Sequence, residues 1–273
     1  MVKRALKMIA NAYSRVGLLG LWAVGAVALV AYLVQHMSDT PHYDIDTAQL
    51  LQVEAPGTQH VKYNGFDIYY DAQHHLPACV AYELTDTETK GNLVRVDAWY
   101  TDDTVRGCAM PNDYMHSGYD RGHMAPAADL AWNSEAMAHT FSMANVCPQH
   151  PVLNSGAWQQ LEEKVREWAR HEKSLLVFTG PIVTAADTTT IGDNHITVPG
   201  AFYKIVVAAS AHDLRALAFI YPNTPTGKSL WDHVTTIDHV ERLTGINFLT
   251  ALPHDAETHL ESTSNLNYWL HTP

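Results

Sequence analysis

Between Ser117 and Asp129 the chain reads Ser-Gly-Tyr-Asp-Arg-Gly-His-Met-Ala-Pro-Ala-Ala-Asp, and no other segment so narrows what it can fold into. Arg121 is a fork of donors, charged at every working pH, whose geometry matches phosphate oxygens. Two residues on, His123 takes a proton from water near neutrality. Gly122, between them, points to a backbone conformation that a Cβ would disfavour. Thirty-one residues after His123, Asn154 offers a neutral carbonyl oxygen, a ligand that Mg²⁺ accepts while keeping most of its waters. The segment carrying Arg121 and His123 is strand-like and ends on the histidine.

The flanking sequence sets the frame for that segment. Apolar runs of strand length occur at 78–84, 93–100, 174–179, 202–209 and 214–221. Gly156 to Glu172 is predicted helical, because Trp158, Leu161, Val165 and Trp168 recur on one stripe. Asn154 then stands where a helix cap belongs, and capping is its plain alternative role. Glu162 lies eight residues on, about 80° around the helix and roughly 12 Å along it, so it can face the same cleft. A second helix is expected from Ser229 to Leu243, stopped by Gly245. The fold class is α+β, with a largely antiparallel central sheet and flanking helices.

In order and spacing, Ser117–Asp129, Phe141-Ser-Met-Ala-Asn-Val-Cys-Pro-Gln149, Leu153-Asn154, Trp158 and Leu161-Glu162 resemble the DNA/RNA non-specific endonuclease family, the ββα-metal nucleases. Weaker likenesses at Val80–Leu84, Arg95–Trp99, Phe178–Pro181 and Val240–Phe248 extend it over roughly residues 60 to 250. The resemblance implies the ββα-metal fold and hydrolysis of DNA and RNA with little sequence preference, leaving 5′-phosphates. It implies His123 as general base, Asn154 as metal ligand and Mg²⁺ as the ion, with Mn²⁺ a substitute. Arg121 and Arg95 then clamp the scissile phosphate, Arg95 being placed by its Arg-x-Asp-x-Trp pattern. Glu162 orients water around the ion, Asn145 helps position substrate or catalytic groups, and Gln149 contacts the ion's water shell. Asp120 fixes the loop through backbone donors. A homodimer and a protein inhibitor are partners the family leaves open.

The N-terminus adds a separate expectation. Residues 1–15 carry Lys3, Arg4, Lys7 and Arg15, and no charge follows from Val16 to Val34. That run spans roughly 28 Å as a helix, about the hydrocarbon thickness of a bilayer. The flanking charges orient a transmembrane signal anchor with the enzyme domain on the extracytoplasmic side, periplasmic or extracellular. A cleaved signal peptide is the competing reading. Residues 35–60 are read as a tether and 61–273 as the domain. In an oxidising compartment Cys108 and Cys147, which flank the motif, are the expected disulfide among three cysteines; buried free thiols are the alternative.

Charge argues against easy binding of a polyanion. From residue 36 onward 13 Lys and Arg face 29 Asp and Glu, a net −16. Local concentration of Arg95, Arg121, Arg106 and Lys62 at one cleft is needed to offset it at close range. Two other readings draw on this acidity: a membrane-tethered phosphodiesterase for small or lipid-linked phosphates, and a nucleic-acid-binding protein without turnover.

Overall fold

The long strands are runs rich in β-branched, aromatic and other apolar residues, buried almost throughout, and they assemble into one antiparallel sheet covered on both faces. In a computed structural model, residues 46–210 and 213–272 are described. A short helix α1 (Thr47–Leu50), capped by the Asp46 side chain on the Ala48 amide, leads into β1 (Gln59–Tyr63), β2 (Phe66–Asp71) and β3 (Leu76–Thr85). Next come β4 (Asp120–His123), α2 (Ser134–His139), β5 (Val146–Gln149) and α3 (Gln159–Glu172). The second half holds β6 (Ser174–Ile182), the small pair β7 (Thr190–Ile191) and β8 (Ile196–Thr197), β9 (Ala201–Ser210), β10 (Asp213–Pro222) and β11 (Val234–Thr235). Three helices close it: α4 (Ile237–Thr244), α5 (His254–Ser262) and α6 (Leu266–His271).

The main sheet has seven strands in the order β1-β2-β3-β6-β9-β10-β11, all antiparallel. Alternation assigns its two faces to two cores. Leu175, Val177, Phe202 and Val206 belong to one, with Trp158, Leu161, Val165 and Trp168 of the α3 region; Leu176, Phe178, Tyr203 and Ile205 belong to the other, with Ile237, Val240 and Leu260 of α4 and α5. The expected stripe on α3 is thus its buried face. Against that first face lies a separate antiparallel pair, β4 with β5, in which His123 faces Val146 and Gly122 faces Cys147. Two strands and the helix that follows them place the motif.

Several expectations change. The chain joins the domain before residue 61: Leu50 and Val53 are buried in the second core, and Glu54 pairs with Asn247 through their backbones. Residues 93–99 form no strand, since Leu93, Val94 and Val96 are exposed with no sheet edge to pack on. The predicted helix 229–243 is split into a turn at Leu230–His233, β11 and α4, because Thr236 caps a new helix with a bond from the His239 amide. Cys79, Cys108 and Cys147 are free thiols, Cys79 and Cys147 fully buried, so the Cys108–Cys147 bridge does not form. The apolar run 16–34 lies outside the described residues; among those described, no helix is long and apolar enough to cross a membrane.

Candidate active site

β4 delivers Arg121 and His123, and β5 holds them by close approach rather than by an unusual glycine conformation. Gly122 lacks a positive φ; a Cβ there would fall 2.3 Å from Oε1 and 2.6 Å from Cβ of the fully buried Gln149. Gln149 therefore packs beneath the strand, and its burial removes it from any ion's water shell. Asn145 is also fully buried and does not line the cleft. Its amide donates to the carbonyls of Ala125 (2.9 Å) and Thr140 (3.0 Å), and its Oδ1 accepts from the Ala125 amide (2.9 Å). It fastens the turn that follows His123, which makes it a positioning residue.

The other five expected residues come together. Arg95, Arg121, His123, Asn154 and Glu162 line one cleft of about 320 Å³ with Arg166, Ser155 and Gln159. Arg106 and Lys62 do not reach it; Lys62 pairs with Asp67 (3.5 Å). The His123 ring stands between Trp99 (centroids 4.9 Å) and Phe141 (5.3 Å, edge-on), and its Nε2 is enclosed without a partner. Burial first, and Arg95 second, pull its pKa down to about 3. The imidazole is therefore uncharged at neutral pH.

Asn154 does not cap α3. The chain makes one wide turn over Leu153–Trp158, departs from helical geometry at Gly156, and only then enters the helix. Its Nδ2 donates to Asp120 Oδ2 at 2.9 Å, which fixes the amide so that Oδ1 is the atom left for the cleft. Asp120 was expected to hold backbone donors; orienting this amide is its observed contact. Arg121 donates through Nη2 to the Pro111 carbonyl (2.8 Å), with its guanidinium over Trp99 (5.4 Å) and Tyr114 (5.8 Å). Arg95 lies over Phe141 (5.3 Å) and pairs with Asp97 (2.5 Å) on an exposed loop, so it is the least anchored of the set.

Two charges escaped the sequence reading. Arg166, one turn after Glu162, bridges to Asp129 (2.8 Å), which is 1% exposed and also accepts from the Tyr82 hydroxyl (2.8 Å). The i, i+4 spacing from Glu162 on an amphipathic helix was the available signal. Lys204 is fully buried on β9 between Phe202 and Val206, its Nζ without a hydrogen-bond partner among the described residues and 4.8 Å from the Trp158 ring. A lysine inside an otherwise apolar strand was its signal. Burial raises the Glu162 pKa to about 7, against the pull of Lys204 and then Arg166, while Asp129 adds to the rise. Lys204 is lowered by the same burial.

These residues suit a hard divalent cation. The cleft offers an amide oxygen held outward and a carboxylate, oxygen donors only, with neither thiolate nor second imidazole beside them. Cationic donors, an uncharged imidazole and oxygen donors thus share one cleft, a set suited to the hydrolysis of phosphate esters. The family profile for the DNA/RNA non-specific endonucleases matches residues 46–255. Mitochondrial endonuclease G of Bos taurus is 31% identical over 217 residues, covering 74% of this chain and 73% of its own. The mitochondrial nuclease of Saccharomyces cerevisiae is 30% identical over 288 residues, 88% and 87% of the two chains. A Nostoc nuclease is 31% identical over 212 residues, 73% and 76%. Among solved structures, a chain from an EndoG/EndoGI inhibition complex superposes with TM-score 0.70 over 81% of this chain and 97% of its own; at 24% identity it speaks for the fold. The chain belongs to the DNA/RNA non-specific endonuclease family, and it is a hydrolase.

Proposed function

We propose that the protein cleaves phosphodiester bonds of DNA and RNA with little sequence preference and leaves 5′-phosphates. One observation carries this: a single cleft gathers a neutral histidine, an oriented amide oxygen, a carboxylate and three arginines from segments far apart in sequence. His123 is the general base. With Nε2 enclosed, Nδ1 is the nitrogen that takes the proton of an attacking water. Arg121, Arg95 and Arg166 donate to the phosphate oxygens, where charge grows as the water attacks. Their fixed charge meets substrate without reading bases, which accounts for low sequence preference. Asn154 Oδ1 and the Glu162 carboxylate would hold Mg²⁺ and its water shell, with Mn²⁺ as substitute. Bound there, the ion supplies Lewis-acid neutralisation of the phosphate and the leaving oxygen. Glu162 keeps that region acceptor-rich, and Lys204 beneath it offsets the cost of the half-buried carboxylate.

The test uses the full chain in mild detergent with supercoiled plasmid and with RNA, in Mg²⁺ or EDTA. Nicking and RNA loss that need the metal and vanish in His123→Ala support the reading. An inert wild type across Mg²⁺, Mn²⁺ and pH 6 to 9 rejects it. The net charge of −16 from residue 36 onward favours a second reading, hydrolysis of small diesters only. Turnover of bis(p-nitrophenyl) phosphate without plasmid cleavage would select it. The run from Val16 to Val34 is proposed as an anchor that leaves this domain outside the cytoplasm, which protease protection in intact cells would test.

A further inference from the structure

On the sheet face away from the cleft, α4 and α5 bring carboxylates together. Asp238 and Glu241 stand one turn apart on α4, and Glu261 on α5 faces them; one oxygen of each lies within 4.8 Å of the others. Helix surfaces place acids this way often, so the cluster alone says little. Glu261 is the unusual member. It is 5% exposed, and its Oε1 is buried with no hydrogen-bond partner among the described residues. The charges acting on it after burial itself are Glu241, Glu257 and Asp238, all negative. Glu241 has one oxygen engaged by the Phe248 amide (2.9 Å), which orients its carboxylate and leaves the other free. A buried carboxylate among like charges, with an unbonded oxygen, lacks the counter-charge that such burial demands.

We propose that Asp238, Glu241 and Glu261 bind a hard divalent cation, Ca²⁺, that ties α4 to α5 independently of the catalytic cleft. The donors are carboxylate oxygens alone, which excludes the softer ions that want imidazole or thiolate. They come from two separate helices, and Ca²⁺ accepts such irregular sets, completing six to eight ligands with water, where Mg²⁺ asks for a near-ideal octahedron. The ion removes the repulsion among the three acids and fastens the helices that cover the second core.

Equilibrium dialysis with ⁴⁵Ca²⁺ on the full chain tests this, after EDTA treatment, with wild type, Glu261→Gln and Asn154→Ala. Wild type and Asn154→Ala are expected to bind one Ca²⁺ at this site, and Glu261→Gln to lose affinity more than tenfold. Melting follows the same division: at a hundredfold excess over Kd, Ca²⁺ raises Tm by roughly 5–10 °C in the first two and by none in the third. Plasmid nicking by Glu261→Gln within twofold of wild type shows that the variant is folded; Asp238→Asn, at a half-exposed position, replaces it if it is not. No binding in wild type, or equal binding in Glu261→Gln, overturns the proposal.

Discussion

Asp120 is not among the residues that line the cleft, yet it orients one that does. Its Oδ2 takes the Asn154 amide hydrogen, and that single bond decides which end of Asn154 meets the cleft. Asp120→Ala frees the amide to rotate. We expect the nuclease rate at fixed Mg²⁺ to fall about 10–100-fold, as removal of a partner behind a metal ligand commonly does. Titrating Mg²⁺ checks the origin, since half-maximal rate should move to higher metal while melting stays near wild type. Gly122 makes the complementary point: the residue is small because Gln149 occupies the space a side chain would need.

At the level of elements, α3 is held by its buried apolar stripe and tied to the motif segment by Arg166. Arg166→Met leaves Asp129 buried with only the Tyr82 hydroxyl. Removing one partner of such a pair should cost roughly 3 kcal/mol, the low end for buried pairs, readable by urea titration. Cleavage should be lost beyond what that destabilisation explains. The turn before β11 holds a second buried charge question. His233 stacks on Tyr221 (3.8 Å), donates from Nδ1 to the Ile220 carbonyl, and meets the Thr226 hydroxyl with Nε2. Burial lowers its pKa below the ordinary 6.5. The folded state therefore binds fewer protons than the unfolded chain as pH falls, and stability present above pH 6.5 declines below it. Melting at pH 7.5 and pH 5.5 should show a larger acid loss in wild type than in His233→Gln.

For the whole molecule, charge and cleft pull in opposite directions. An acidic domain repels a polyanion at a distance, whereas on the proposed function the three cleft arginines attract it at contact. With about three phosphate contacts, the log–log dependence of binding on salt should have a slope of about −3 on duplex and about −2 on single strands. Fluorescence anisotropy with His123→Ala, expected to bind without cleaving, measures it. Slopes near −6 or steeper would mean a broader basic footprint than the cleft provides.

The sequence by itself determined the family, the long strands and the buried face of α3. It also named His123, Arg121, Asn154 and Glu162, which the fold collects in one cleft. Those signals are local: spacing, periodicity and residue chemistry within a few turns of chain. Tertiary structure decided the rest, because it depends on what lies opposite. Asn154 finds Asp120 across 34 positions, Arg166 finds Asp129 across 37, and Asn145 finds Ala125 across 20. No periodicity marks such partners. The expected strand at 93–100 failed for the same reason: its apolar residues had the pattern, but among the described residues no strand of the sheet lies beside them, and only Tyr100 makes an isolated bridge, to Ser142.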